Sequence, residues 1–236
     1  MQRSDFLNSL YAIAAAGPAL AASSPKAVAG ISIPDTRLAR EATHLAASAE
    51  PPEIFAHSLR TFLFAELLGA ERRVDHDVEL VYVASILHDT GLCAQYMSDS
   101  ERFEVDGANL AKSFLRERGT SDARIGLAWD AVALHDQSGI AKWKQPEVAL
   151  VNAGVGADFG AHLSTLKRED VVAVLAAAPR DRFIEVLLDA VAAFARRKPQ
   201  ATGNSWVTDV AYRKVPGFHL DNFVDDVQDD PFKDYR

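Results

Sequence analysis

Residues 85–92 read "SILHDTGL", and they close an apolar stretch that runs from Leu80 to Leu87. His88 and Asp89 follow at its end, and Gly91 supplies a place for a helix to stop. Two ionisable side chains at the end of a core-like helix have two readings: a buried hydrogen-bonded pair, or two ligands of one metal ion. Adjacent helical residues project about 100° apart. His88 and Asp89 can therefore share an ion that lies between them, most easily where the helix is ending.

The rest of the chain sets the bounds on that choice. It has 236 residues, of which 48% are hydrophobic, enough for one domain with a sizeable core. The net charge of −8 makes a nucleic-acid backbone an improbable partner for the surface as a whole. A single cysteine, Cys93, excludes an intrachain disulfide framework and any site built from several thiolates. It reads as a small apolar residue. A bound metal would have to be held by His, Asp and Glu.

Helical periodicity predominates from Pro34 onward. Helices are expected at Asp35–Ala49, from Pro52 to Gly69, at Asp77–His88, Val105–Arg118, Asp122–His135, Pro146–Phe159, Lys167–Ala177 and Arg180–Arg197. In the second of these, Phe55, Leu59, Phe62, Leu63 and Leu67 form an apolar stripe at three- and four-residue steps. No alternating run is long enough to be read as a strand. The segment from Gly203 is expected to be an irregular tail that wraps the bundle. The fold class is all-α, with residues 31–236 as one helical bundle. Residues 1–30 stand apart: an arginine near the start, an apolar run from Leu10 to Ala22, then small-x-small triplets at Ala19–Ala21 and Ala27–Ala29. That order is the pattern of a secretory signal peptide. It predicts a periplasmic or secreted protein if the signal is used and a cytoplasmic one otherwise, with no membrane association after processing.

Of the seven histidines, His57, His88 and His135 lie within or at the end of apolar helical segments. The blocks "FAHSLRTFLF", "ASILHDTGL", "RFEVDGANLAKSFL", "WDAVALHD" and "VNAGVGADFG" together resemble the HD-domain metalloprotein superfamily, whose signature is the order His, His-Asp, Asp. Within it the chain looks most like the cyanamide hydratase group, over roughly residues 32–232. The resemblance implies an HD-domain helical bundle with His57, His88, Asp89 and Asp158 as ligands of one divalent ion. Zinc is the favoured metal, with iron, manganese or nickel as alternatives.

That resemblance further implies an enzyme, a hydro-lyase or hydrolase acting on a small neutral molecule. In the cyanamide hydratase case, metal-activated water adds across a carbon–nitrogen triple bond. Glu104, Asp106, His135 and Asp89 are the candidate catalytic groups, with Ser58 and Arg60 as supports beside His57. Asp106 has a helix cap as its competing reading, and Glu104 an ion pair with Arg102. The rival activity is nucleotide phosphohydrolysis. Such relatives often read His-Asp-x-x-Lys, but Leu92 stands at the lysine position, Phe103 stands where two-metal relatives place a histidine, and no histidine lies between Asp89 and His135. These departures favour one metal and an uncharged substrate. A non-catalytic metal-binding module is the third reading, and a homo-oligomer is left open.

Overall fold

A computed structural model describes residues 27–203 and 205–220. The apolar run of the export signal and the acidic segment from Asp221 lie outside the described residues. A two-residue β-hairpin comes first, with β1 (Ala27–Val28) antiparallel to β2 (Ile31–Ser32). Its turn residues Ala29 and Gly30 both have positive φ, the arrangement that matches strand twist in a tight hairpin. Val28 is buried in the main core, so the hairpin straddles the boundary expected at residue 30.

Ten α-helices follow among the described residues. The first is α1 (Arg37–Ala49), whose N-cap Thr36 accepts from the Ala39 amide at 3.1 Å. Ala39, Ala42 and Ala46 form its buried face. The Pro51-Pro52 pair then stops α1 and opens α2 (Pro52–Arg72). This helix runs through Gly69 instead of ending there. Gly69 is a point of close packing against Leu150 and His76, and the chain turns only at Arg73, which is left-handed.

Next comes α3 (Val78–Leu87), with Asp77 as its N-cap and every residue from Leu80 to Leu87 buried. A helix that is apolar all round must be covered all round. Around it stand α1, α2, α4 (Phe103–Glu117), α5 (Asp122–Ala133) and α7 (Pro146–Asp158). A short α6 (Ser138–Ala141) precedes α7. The chain continues through α8 (Arg168–Ala177), α9 (Phe183–Arg197) and α10 (Trp206–Lys214). Thus part of the segment expected to be irregular is a helix. Val207, Val210 and Ala211 give it a buried face at helical spacing, packed on α9, and Ser205 caps it. A second, smaller apolar cluster joins α9 and α10 to Leu92 and Phe103.

Gly91 has a different physical role from the helix stop expected of it. It sits in a 3₁₀ turn, Thr90–Leu92, and its φ is not positive. A Cβ there would collide with the Phe103 carbonyl oxygen and lie 2.8 Å from the Gly107 amide nitrogen. The glycine lets the start of α4 press backbone-to-backbone on the His-Asp turn. Gly91→Ala is therefore expected to cost about 3 kcal/mol, the upper end for overpacking, because backbone cannot rotate away. Gly126, in α5 with open space at its Cβ, is the control, and its alanine variant should be as stable as wild type or more so. Urea midpoints that move equally for the two variants would contradict this account.

Candidate metal centre

The centre is assembled from the ends of three helices and the second turn of a fourth. His57 lies in α2, His88 and Asp89 follow α3, His135 follows α5, and Asp158 is the last residue of α7. All five are buried. Each ring is fixed by what its Nδ1 meets. His88 Nδ1 lies 2.7 Å from the Ser85 carbonyl, and His135 Nδ1 lies 2.7 Å from the Val132 carbonyl. A carbonyl only accepts, so both Nδ1 atoms carry the proton and donate it. His57 Nδ1 donates in the same way to Asp158 Oδ2 at 2.6 Å. In the neutral rings all three Nε2 atoms are then bare lone pairs.

Those lone pairs converge. His57 Nε2 and His88 Nε2 are 3.2 Å apart, and Asp89 Oδ2 is 3.8 Å from the first and 3.3 Å from the second. His135 Nε2 faces the other carboxylate oxygen, Asp89 Oδ1, at 3.8 Å. Two imidazole lone pairs at this separation repel unless a proton on one ring, making an N–H···N bond, or a metal ion lies between them. One donor atom from each of His57, His88 and Asp89 lies within 4.8 Å of the other two, and an N,N,O set suits a borderline divalent ion. Burial disfavours the charged form of every ring. At His57 and His135 it prevails and lowers the pKa, whereas at His88 the adjacent Asp89 carboxylate outweighs it and raises the pKa. Burial also works against a charged Asp89, but the surrounding rings hold its carboxyl well below the usual range.

Asp158 is placed differently from the other expected ligands. It meets His57 on the Nδ1 side of the ring, away from the Nε2 that faces His88. Its oxygens also accept from Arg60 Nε at 2.8 Å, Arg60 Nη2 at 2.9 Å and Arg180 Nη1 at 2.5 Å. Arg180 Nη1 further donates to the Asp158 carbonyl. Burial opposes ionisation of Asp158, but His57 and Arg60 more than offset it and hold the carboxyl low. Phe183 stacks on the His57 ring at 4.6 Å and carries both guanidiniums over its own ring. A carboxylate on the Nδ1 side of an imidazole fixes the tautomer and orientation of the ring.

Residues 54–200 match the family model described as HD domain. The chain belongs to the HD domain family. No curated protein matches it. Family membership and the buried His57–His88–Asp89 cluster together support metal-dependent hydrolase chemistry in general. In this HD domain the cluster forms the floor of a cleft of about 510 Å³, whose wall includes His135, Asp136, Ser138 and Asn152. Asn152 donates to the His135 carbonyl at 2.7 Å and so braces the turn that presents that ring.

The remaining site candidates do not join the cleft wall. Asp106 accepts from Lys198 Nζ at 2.6 Å and from the Ser98 amide at 3.1 Å. It pins the α9 end to the loop before α4 and does not cap that helix, whose N-cap position is held by Arg102 without a side-chain capping bond. Glu104 is buried and paired with Arg102 at 2.5 Å. Ser58 donates to Glu50 at 3.4 Å, whereas Arg60 supports the site through Asp158. Cys93 remains a thiol, since burial pushes it up to about 12. Sequence reasoning missed Arg180, Asn152 and Asp136. It also missed Glu50, whose carboxyl is raised well above its ordinary value by burial and by Asp89. Asp136 and Asn152 stand inside the blocks "WDAVALHD" and "VNAGVGADFG" without a spacing that marks them, and Arg180 and Glu50 reach the centre only through tertiary contacts with Asp158 and Asp89.

Burial, against a partly opposing Arg102, pushes the Glu104 carboxyl up to about 7 from 4.5. Between those values the folded HD domain binds more protons at this site than the unfolded chain. Its contribution to stability is therefore full below about pH 4.5 and declines as pH rises to about 7, by roughly 3 kcal/mol at most. Glu104→Gln should remove that slope. Denaturation midpoints at about pH 5 and about pH 8 test it, and an unchanged slope in the variant would assign the titration elsewhere.

Proposed function

We propose that this protein is a metal-dependent enzyme that adds water to a small uncharged substrate of the nitrile or amide type, as the likeness to cyanamide hydratases implies. The observation that carries the reading is the cleft itself. Its floor offers nitrogen and carboxylate ligands, and no lysine or arginine is among its lining residues. Leu92, at the position of the phosphohydrolase lysine, is buried in the second apolar cluster. The nearby cations are spent on carboxylates: Arg60 and Arg180 on Asp158, Arg102 on Glu104, Lys198 on Asp106. Beyond the metal ion itself, a phosphate ester would find no Lys or Arg on the cleft wall to pair with.

His57, His88 and Asp89 would hold the ion, with zinc the proposed metal, and Asp158 would orient His57. A divalent ion there would lower the pKa of a water toward neutrality and polarise the substrate. His135 is the proposed proton-transfer group. Its Nε2 is an acceptor on the cleft wall, able to take a proton from water and return it to the substrate nitrogen. His135→Gln is expected to lower kcat by about 10²- to 10⁴-fold. Metal content should change little, and a variant of full activity would remove His135 from the mechanism. The function itself is tested by assaying zinc-, iron-, manganese- and nickel-loaded protein for urea release from cyanamide, beside a panel of nitriles, amides and nucleotide phosphates. Turnover confined to the phosphates would establish the rival activity. We also propose export by the N-terminal segment, which sequencing the amino terminus of the mature protein would check.

A further inference from the structure

The cleft is far larger than cyanamide needs. At about 30 Å³ for each water-sized group, its roughly 510 Å³ would hold more than a dozen. Above the metal-binding floor the wall is apolar, made by Val155, Phe159, Ile184, Leu187, Leu188 and Trp206. Phe159 and Ile184 stay 52% and 44% exposed, so the apolar wall reaches solvent at a mouth through which a ligand can enter.

The polar atoms near this wall are already satisfied. Trp206 turns its indole N–H onto Asp136 Oδ2 at 3.1 Å. Arg102 Nη2 stands 3.9 Å from the same oxygen, and Asp136 Oδ1 accepts from Gln137 at 2.8 Å. Above the metal-binding floor the cleft thus presents neither a free cationic side chain for an anionic group nor a free carboxylate for a cationic one.

From this we infer that the substrate is an uncharged molecule with an apolar group of several carbons, its reacting carbon–nitrogen group at the His57–His88–Asp89 floor and its hydrocarbon part against α9 and Trp206. The inference rests on the hydratase or hydrolase reading for the reacting group. The apolar part rests on the cleft wall alone. Exposed apolar side chains also occur where chains associate. Here the wall continues inward to the ligand cluster, which a second copy seated on the surface would not fill, and the small-molecule occupant is the one the geometry favours.

The test uses zinc-loaded full-length protein and straight-chain nitriles from acetonitrile to hexanenitrile, with cyanamide for comparison. Each added methylene that finds apolar wall should raise kcat/KM about fourfold, the ratio that corresponds to ~0.8 kcal/mol per buried methylene. Ile184→Arg, at the exposed rim, should flatten that dependence while the protein still takes up zinc. Calorimetric binding of the same series is run in parallel. If nothing turns over but affinity climbs with chain length, the hydration chemistry fails and the apolar site stands. Affinity and kcat/KM that stay flat or fall with chain length would overturn the inference. So would preference for a charged analogue, or a sedimentation coefficient that rises with protein concentration while hexanenitrile fails to bind.

Discussion

Zinc is expected to raise the melting temperature of the wild-type protein, and His88→Ala to abolish that rise together with activity, the largest single effect expected here. His88 Nε2 stands 3.2 Å from His57 Nε2 and 3.3 Å from Asp89 Oδ2, so its removal takes away the donor that both neighbours share. The loss in zinc affinity should exceed the 10- to 100-fold typical of removing a group that only supports a ligand. An ion present at a hundred times its dissociation constant stabilises a fold by about 2.7 kcal/mol, and the variant should gain almost none of this. The metal-free proteins should differ much less. Alanine loses the bond from His88 Nδ1 to the Ser85 carbonyl but also removes a lone pair that faces another lone pair. Calorimetric scans of both proteins, with and without zinc, read this directly. A variant that keeps the zinc-dependent shift would place the ion elsewhere.

Asp158→Asn is the second. Arg60 is wholly buried, and its Nε and Nη2 both end on Asp158, with only Nη1 turned to the carbonyls of Ala178 and Pro179. Removing the carboxylate charge leaves a buried guanidinium uncompensated, a change that costs about 3–5 kcal/mol. Arg180 is partly exposed and can turn to water. The double variant Arg60→Met, Asp158→Leu should recover much of the stability, because it removes both charges. It should not recover metal affinity, which falls about 10- to 100-fold once nothing fixes the His57 tautomer. That separation distinguishes a carboxylate acting at the metal site from a merely structural ion pair, and a loss well beyond 100-fold would mark Asp158 as a ligand. Equal recovery of stability and metal affinity in the double variant would show that Asp158 has no part in positioning His57.

Both predictions turn on features that were only partly visible in the chain. The helical class was legible because the apolar positions recur at helical spacing and proline, threonine and aspartate mark the starts. The segment around Trp206 was not, since its few apolar residues form a face only once α9 is there to receive it. Gly91 reads in the sequence as a helix stop, yet what requires a glycine is the backbone of α4, twelve residues away at Phe103. Glu104 and Asp106 read as catalytic candidates because they lie in a family-like block. Their side chains are instead taken by Arg102 and Lys198, and the second of these pairings spans 92 residues.

What the sequence by itself determined is the inventory: an all-α chain, one helix apolar on every side, a His-Asp pair at its end, and leucine where a phosphate-binding lysine would stand. Local periodicity and residue chemistry suffice for that. Only the tertiary structure decided which atom of each residue faces the ion site. It is the partner of Nδ1 that aims each Nε2, and for His57 that partner is Asp158, 101 residues along the chain. A carboxylate can bind a metal or hold the histidine that does. The choice depends on which side of the ring it meets and on the two arginines that neutralise it, and neither is written in the spacing of the motif.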